Sequence, residues 1–346
     1  MKNFFKELLS NQLKPFIIAE ISANHGGSIT KAKKMIKAAK KAGVDAVKIQ
    51  TYEADSMTIN SHKEDFRIKH GIWKGQKLYD LYKTAQTPYA WHHSLFEFAK
   101  KEGILIFSTP FDYKGVDLLE KLKVPLYKIA SFEITDHPLI EYIASKNKPI
   151  LLSTGMSSEK DIGEALEVIK TKGLKEILLF HCISSYPAKV EDYNLNMIKT
   201  LAKDFKTLVG LSDHTLGIEA ALASVALGAV AIEKHFKLSK NDLGPDSQFS
   251  SDPKEMRDLV TKTHEVWKGL GSGNYERAIE EKKNLVFRRS IYFIKDLKEG
   301  HIISKDDIKC IRPSFGLEPK NIKKVISKKT KLKIKKGDRV TWDKIE

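Results

Sequence analysis

PILLSTGMSSEKDIGEALEVIKTKGLKEILLFHC, residues 149–182, holds one full cycle of the pattern that organises this chain. It begins with a short apolar run (149–155). A segment follows in which Ile162, Ala165, Leu166 and Ile169 fall on one helical face, and a second apolar run (176–182) closes it. Apolar residues three and four apart mark an amphipathic helix, and a short β-branched-rich run bounded by turn residues marks a buried strand. Outward from here the same kind of run recurs as PFIIAEIS (15–22), DAVKIQT (45–51), ILIFSTPF (104–111), LYKIAS (126–131), TLVGLSDH (207–214) and AVAIEKHF (229–236). Helical spacing reappears between them, in Ile29 to Ala42 and in His92 to Lys101. Eight strand-then-helix units predict an α/β fold of the (β/α)8 TIM-barrel type, with a doubly wound sheet as the second choice. The expected boundaries are a barrel over 1–270, a polar linker over 271–284 and a small domain over 285–346.

The runs end on polar residues. Glu20, Lys48 with Gln50, Ser108 with Thr109, Lys128 with Ser131, Ser153 with Thr154, His181, Ser212-Asp213-His214 and Glu233-Lys234-His235 stand at successive C-terminal ends. A barrel of this type builds its active site on that face. Two lysines and several hydroxyls suit a ligand with a phosphate and a carboxylate. His214 and His235 end neighbouring strands and can share a divalent ion, Mn²⁺ or Mg²⁺, in an open site; the alternative is one structural and one catalytic histidine. Glu20 suits acid or base work, or a salt bridge to a barrel lysine. An insertion at 52–89 contains WKGQKLYDLY (73–82), which reads as a helical lid or substrate loop, and KLSKNDLGPDSQFS (237–250) is placed to cover the mouth.

The chain has 346 residues and a formal net charge of +16, with 41% hydrophobic residues. Such composition is globular and excludes a disordered or collagenous chain. Residues 281–346 hold 20 Lys and Arg against 9 Asp and Glu. The whole chain has 53 Lys but only 7 Arg, a bias that argues for a solvated surface over nucleic-acid readout. Cys182 and Cys310 are too few for a disulfide scaffold and suit a reducing, cytoplasmic setting. The longest apolar stretch, Ala220 to Ile232, is too short to span a membrane, and MKNFFKELLSNQLK at the start does not read as a signal peptide.

At these strand ends the chain resembles the sialic acid synthase family, over nearly its whole length. The motifs are IAEISANHGG (18–27), VKIQT (47–51), FSTPFD (107–112), YKIASFE (127–133), STGM (153–156), GLSDHT (210–215), EKHF (233–236) and GPD (244–246). Residues 285–346 resemble the family's antifreeze-like (SAF) module. The resemblance implies a transferase that condenses phosphoenolpyruvate with an acetamido sugar aldehyde, makes a nonulosonic acid, releases phosphate and needs a divalent metal. It implies phosphoenolpyruvate contacts at Lys48, Thr109, Lys128, Ser131, Ser153, Ser184, Ser212 and His214, and metal contacts at His214 and His235. Glu20, His214 and His235 are then the catalytic set. Gln50, Glu133, Tyr186 and Asp246 face the sugar, with Arg312 of KCIRPS (309–314) donated across a domain-swapped homodimer. Neuraminate synthases place Asn at the position of Ser184, which can still donate one hydrogen bond.

Three features resemble the pseudaminic acid branch: the insertion through TPYAWH (87–92), SSYP (184–187) and GPDSQFS (244–250). That branch implies 2,4-diacetamido-2,4,6-trideoxy-L-altrose as the sugar. A neuraminate or legionaminate synthase is the alternative. A pyruvate aldolase using a Lys128 Schiff base, or a lysine-rich binding protein, is more remote.

Overall fold

A computed structural model of the chain describes residues 14–346; the N-terminal stretch read above against a signal peptide lies almost wholly outside them. The chain divides into two compact units, 1–271 and 272–346.

In the first unit, eight parallel strands close into a barrel. They are β1 (Phe16–Glu20), β2 (Ala46–Thr51), β3 (Leu105–Pro110), β4 (Tyr127–Ile129), β5 (Ile150–Ser153), β6 (Ile177–Cys182), β7 (Leu208–Asp213) and β8 (Ala231–His235). Closure is made by β1 against β8, from Phe16↔Ala231 to Glu20↔His235. Side chains alternate across each strand. Ile18, Ala46, Phe107, Leu151, Leu178, Phe180 and Ala231 fill the barrel interior. Their neighbours Ile17, Ala19, Val47, Ile106, Leu152 and Leu179 pack outward with the buried helical faces. With its lower interior filled by apolar side chains, the barrel has room for chemistry only at its C-terminal mouth.

The helices form where the spacing places them, at Ile29–Ala42, Tyr89–Glu102, Glu159–Thr171 and Pro253–Leu270 among others. Ser158 caps the third of these through a reciprocal capping box with Asp161, an arrangement worth about 1 kcal/mol. Its buried face is Ile162, Ala165, Leu166 and Ile169.

One expectation needs correction. WKGQKLYDLY is not helical throughout, because the helix spans only Leu78–Ala85. Residues 67–77 form a tight loop closed by an Arg67↔Lys77 bridge, with Gly71 and Gly75 at positive φ. Residues 271–284 contain a short helix, Ile279–Lys283. The last stretch, IKKGDRVTWDKIE, carries isolated β-bridges and a 3-10 turn.

In the second unit, β9 (Ser290–Phe293) pairs antiparallel with β10 (Ile308–Ile311). Ile291, Phe293, Leu297, Ile303, Ile308, Val325, Ile334, Val340 and Ile345 make its small core.

The strands that carry the histidines are locked by one buried ion pair. Asp213 and Lys234 are register partners across β7 and β8, and Lys234 Nζ lies 2.7 Å from Asp213 Oδ2. Lys234 also donates to the Thr215 carbonyl, and Asp213 Oδ1 accepts from the Thr215 N–H and hydroxyl. Removing one member leaves the other charged and unpaired. Lys234→Met should therefore cost about 3–5 kcal/mol, and Asp213→Leu in addition should recover most of the loss. Urea denaturation checks this; a loss below about 1 kcal/mol in the single variant contradicts it.

Candidate active site

Glu20 ends β1 beside Lys48 on β2 and His235 on β8, all at one register level. Lys48 Nζ lies 2.9 Å from Glu20 Oε2 and 3.0 Å from Glu233 Oε1. Lys128 Nζ, from β4, is 3.4 Å from the same Glu233 oxygen. A buried row of alternating charge, Glu20–Lys48–Glu233–Lys128, thus lies inside the barrel. Burial alone pulls both ammonium groups down. For Lys48 the two carboxylates outweigh it and lift the pKa above the ordinary lysine value. Burial prevails at Lys128, where Glu233 and, less strongly, Cys182 offset it and Lys48 repels it, so its pKa lies below the ordinary lysine value. Burial also opposes the Glu233 charge, yet the two lysines hold that carboxyl down at about 2. The salt bridge from Glu20 to a barrel lysine that the sequence left open is present at Lys48, whereas sequence reading gives Glu233 no role. The structure pairs both lysines and makes Glu233 the joint. The available signal is alternation: Glu233 lies two residues before His235, so both point inward.

Around this row stand the expected hydroxyls. Ser212 donates to Glu233 Oε1 (3.3 Å). Thr109 is buried, and its Oγ1 has no hydrogen-bond partner. Ser131 Oγ accepts the Gly155 N–H (3.1 Å) and lies 3.0 Å from Cys182 Sγ. A side chain at Gly155 would collide with Ser184 Oγ, Cys182 Sγ and Ser131 Oγ, so the STGM turn must carry glycine for its backbone to approach β4 and β6. Ser153 is buried on β5 just before this turn. Thr109 thus offers a buried, uncommitted hydroxyl to a ligand at the mouth.

His214 and His235 lie with ring centroids 5.4 Å apart. His214 Nδ1 is 2.9 Å from the Ile183 carbonyl, which can only accept, so Nδ1 carries the proton and Nε2 keeps its lone pair. Burial first, and His235 second, lower the His214 pKa to about 3, which keeps the ring neutral. His235 Nδ1 lies 3.3 Å from Asp246 Oδ2 but makes no hydrogen bond. A ligating histidine is ordinarily oriented by a carbonyl or carboxylate on its other nitrogen, as His214 is. The neighbouring imidazoles fit a divalent cation, with positions left for substrate. No cluster of three or more His, Cys, Asp or Glu suited to a metal occurs among the described residues. Asp246, expected only against the sugar, also lies beside a histidine.

Of the other expected sugar contacts, Tyr186 packs 4.6 Å from His214, and Phe249, missed in the sequence reading, lies 4.9 Å from His235. Glu133 follows β4, and its Oε2 is buried without a partner. Gln50 is half-buried on β2. Arg312 is exposed in the second unit, just past β10, and is not among the residues the first unit gathers. The loop carrying Asp246 is pinned by Asn24, which donates to Ser250 Oγ and the Phe236 carbonyl and accepts from Ser247 Oγ.

The NeuB family model matches residues 35–275 and the SAF domain model residues 288–346. This chain belongs to the NeuB family. It is 47% identical over 325 residues to the pseudaminic acid synthase of Campylobacter jejuni, covering 94% of this chain and 95% of that one. It is 37% identical over 336 residues to the N,N'-diacetyllegionaminic acid synthase of Legionella pneumophila, covering 96% and 94%. The crystal structure of an N-acetylneuraminic acid synthetase from Leptospira borgpetersenii, in complex with citrate, is similar with a TM-score of 0.71 and 35% identity, covering 79% of this chain and 90% of that one.

Burial, with Asp136 second, raises the Glu133 carboxyl from 4.5 to about 7. Between those values the folded chain holds a proton that the unfolded chain has lost, so stability falls as pH rises through that window and then levels. Glu133→Gln removes the slope. Relative to wild type, the variant should be on the order of 2 kcal/mol better off at pH 8 than at pH 4, measured by urea midpoints. A difference independent of pH contradicts the assignment.

Proposed function

We propose that this chain is a pseudaminic acid synthase. It condenses phosphoenolpyruvate with 2,4-diacetamido-2,4,6-trideoxy-L-altrose and water, giving pseudaminic acid and inorganic phosphate. The observation that carries this reading is the strand-end constellation, two buried lysines, the unsatisfied hydroxyls of Thr109 and Ser184 and a neighbouring pair of histidines, in a chain 47% identical to a pseudaminic acid synthase over 94% of its length. In this reading Lys48, Lys128, Thr109, Ser131, Ser153, Ser184 and Ser212 hold the phosphate and carboxylate of phosphoenolpyruvate. Gln50, Glu133, Tyr186 and Asp246 hold the open-chain sugar. The methylene carbon of phosphoenolpyruvate bonds to the sugar's aldehyde carbon, whose oxygen takes a proton and becomes a hydroxyl. Water, oriented by Glu20, adds to the former enol carbon. The bond between that carbon and the phosphate oxygen then breaks and phosphate leaves, while the lysines balance its charge.

His214 and His235 would hold Mn²⁺ or Mg²⁺, which supplies Lewis-acid polarisation of the aldehyde when bound. The second reading, a legionaminate or neuraminate synthase, is favoured by the 37% identity to the Legionella relative. The low Lys128 pKa is what amine catalysis would also need, and borohydride trapping of a pyruvyl adduct on Lys128 would favour that route. A cytoplasmic location suits two free cysteines, and among the described residues no helix is long and apolar enough to cross a membrane.

The working unit in this reading is a homodimer in which Arg312 of one chain completes the other chain's site. A unit of this size buries little core alone. Phe132, Met156, Leu216 and Leu243, on loops after β4, β5, β7 and β8, are exposed, which supports a cover over the mouth.

Two tests follow from this reading. Phosphate release should require both phosphoenolpyruvate and an acetamido sugar, stop with EDTA and return with Mn²⁺ or Mg²⁺. kcat/KM should be higher for the 6-deoxy diacetamido sugar than for N-acetylmannosamine; the reverse order hands the assignment to the second reading, and full activity in EDTA removes the metal. Mixing Arg312→Ala with His235→Ala chains should restore part of the activity lost by each, because one hybrid site keeps both residues. Mixed dimers with no activity would place the arginine in its own chain's site or outside catalysis.

A further inference from the structure

Trp73 sits at the tip of the 67–77 loop. Gly71 and Gly75, both in the left-handed region, turn the chain on either side of it. The Ile68 N–H donates to the Gln76 carbonyl (2.9 Å) and the Gly75 N–H to the Ile68 carbonyl (2.8 Å), so the tip rests on a closed ladder. Its indole Nε1–H donates to the Pro245 carbonyl (3.1 Å), in the loop that carries Asp246. The ring packs 5.6 Å from Tyr186, which is 4.6 Å from His214 and 5.1 Å from Phe249. Trp73 is therefore two ring spacings from the histidines, on the outer side of Tyr186.

The indole has one polar atom, and Pro245 occupies it. What remains for a ligand is an apolar, π-rich face, half-exposed at the mouth. A six-carbon sugar held by its aldehyde at the histidines extends its far end by five carbon–carbon bonds, roughly 6 Å, out toward the Tyr186–Trp73 side of the mouth. A methyl group packs well against such a wall. A hydroxyl there loses its water and finds no partner.

We propose that Trp73 is a specificity-determining residue of the sugar half, its indole forming the wall against which the deoxygenated end of the sugar packs. The proposal rests on the function proposed above and adds a residue to it. An apolar pocket of this kind discriminates against an added hydroxyl by about a hundredfold at most.

The test compares wild type, Trp73→Ala and Trp73→Phe on two substrates: the 6-deoxy diacetamido sugar and the same diacetamido sugar bearing a 6-hydroxyl. Wild type should prefer the deoxy sugar in kcat/KM by roughly 10–100-fold. Trp73→Ala should cut that ratio at least fivefold and raise the sugar KM, with the phosphoenolpyruvate KM within twofold of wild type. Trp73→Phe keeps an apolar wall but loses the bond to Pro245, so it should keep the ratio within threefold while raising the sugar KM; this variant also serves if the alanine variant does not fold. An unchanged ratio in Trp73→Ala, or a ratio lost equally in Trp73→Phe, overturns the assignment of Trp73 alone. Wild type that turns over neither diacetamido sugar but accepts N-acetylmannosamine overturns the proposed function, and this inference with it.

Discussion

Two lysines and two glutamates can leave water inside a barrel only by compensating one another. Glu20, Lys48, Glu233 and Lys128 do so in a single row, and the rest of the mouth is arranged around it. The row is neutral before a ligand arrives, so the fold does not have to hold a bare cation. It also leaves capacity. An ammonium has three N–H donors. Lys48 is ion-paired with both glutamates, while Lys128 has one acid partner and otherwise rests over the Phe180 ring. Two buried hydroxyls of the site, Thr109 and Ser184, have no hydrogen-bond partner.

Chemistry and specificity are supported by different parts of the chain. The charge row, the hydroxyls and the histidines come from strands or the first residues beyond them, where backbone ladders and the Asp213–Lys234 pair fix position. In the proposed reading the 52–89 insertion and the 237–250 loop, joined by the bond from Trp73 to Pro245, border the sugar half beside Gln50, Glu133 and Tyr186 at the strand ends. This division fits a family that includes synthases of pseudaminic, N,N'-diacetyllegionaminic and N-acetylneuraminic acids: the loops can change without disturbing the strands.

The barrel was legible because its signal is periodic. Eight apolar runs and the helical faces between them say where strands and helices are, and β-branched runs ending in polar residues say which end is the mouth. The helix at Glu159–Thr171 buries the four residues that the spacing placed on one face, Ile162, Ala165, Leu166 and Ile169. What sequence could not supply is pairing across the barrel. Nothing local to Lys48, Glu233 or Lys128 says that they meet, since they are 80 or more residues apart in sequence and join only on closure. The same holds for Asp246 against His235, and for Trp73, whose loop is shaped by two glycines at positive φ in a segment whose composition reads as helix. Where the spacing was periodic the reading held; where position depends on contact between distant loops it did not.

The most direct measurement is calorimetric titration of phosphoenolpyruvate into wild type and Lys128→Met. This lysine is the one to remove, because Glu233 keeps Lys48 as a partner. Losing one charge-assisted contact of about 1.5–3 kcal/mol should weaken phosphoenolpyruvate binding roughly ten- to hundredfold, with the melting temperature close to that of wild type. An unchanged dissociation constant in the folded variant would show that the charge row does not hold the anion.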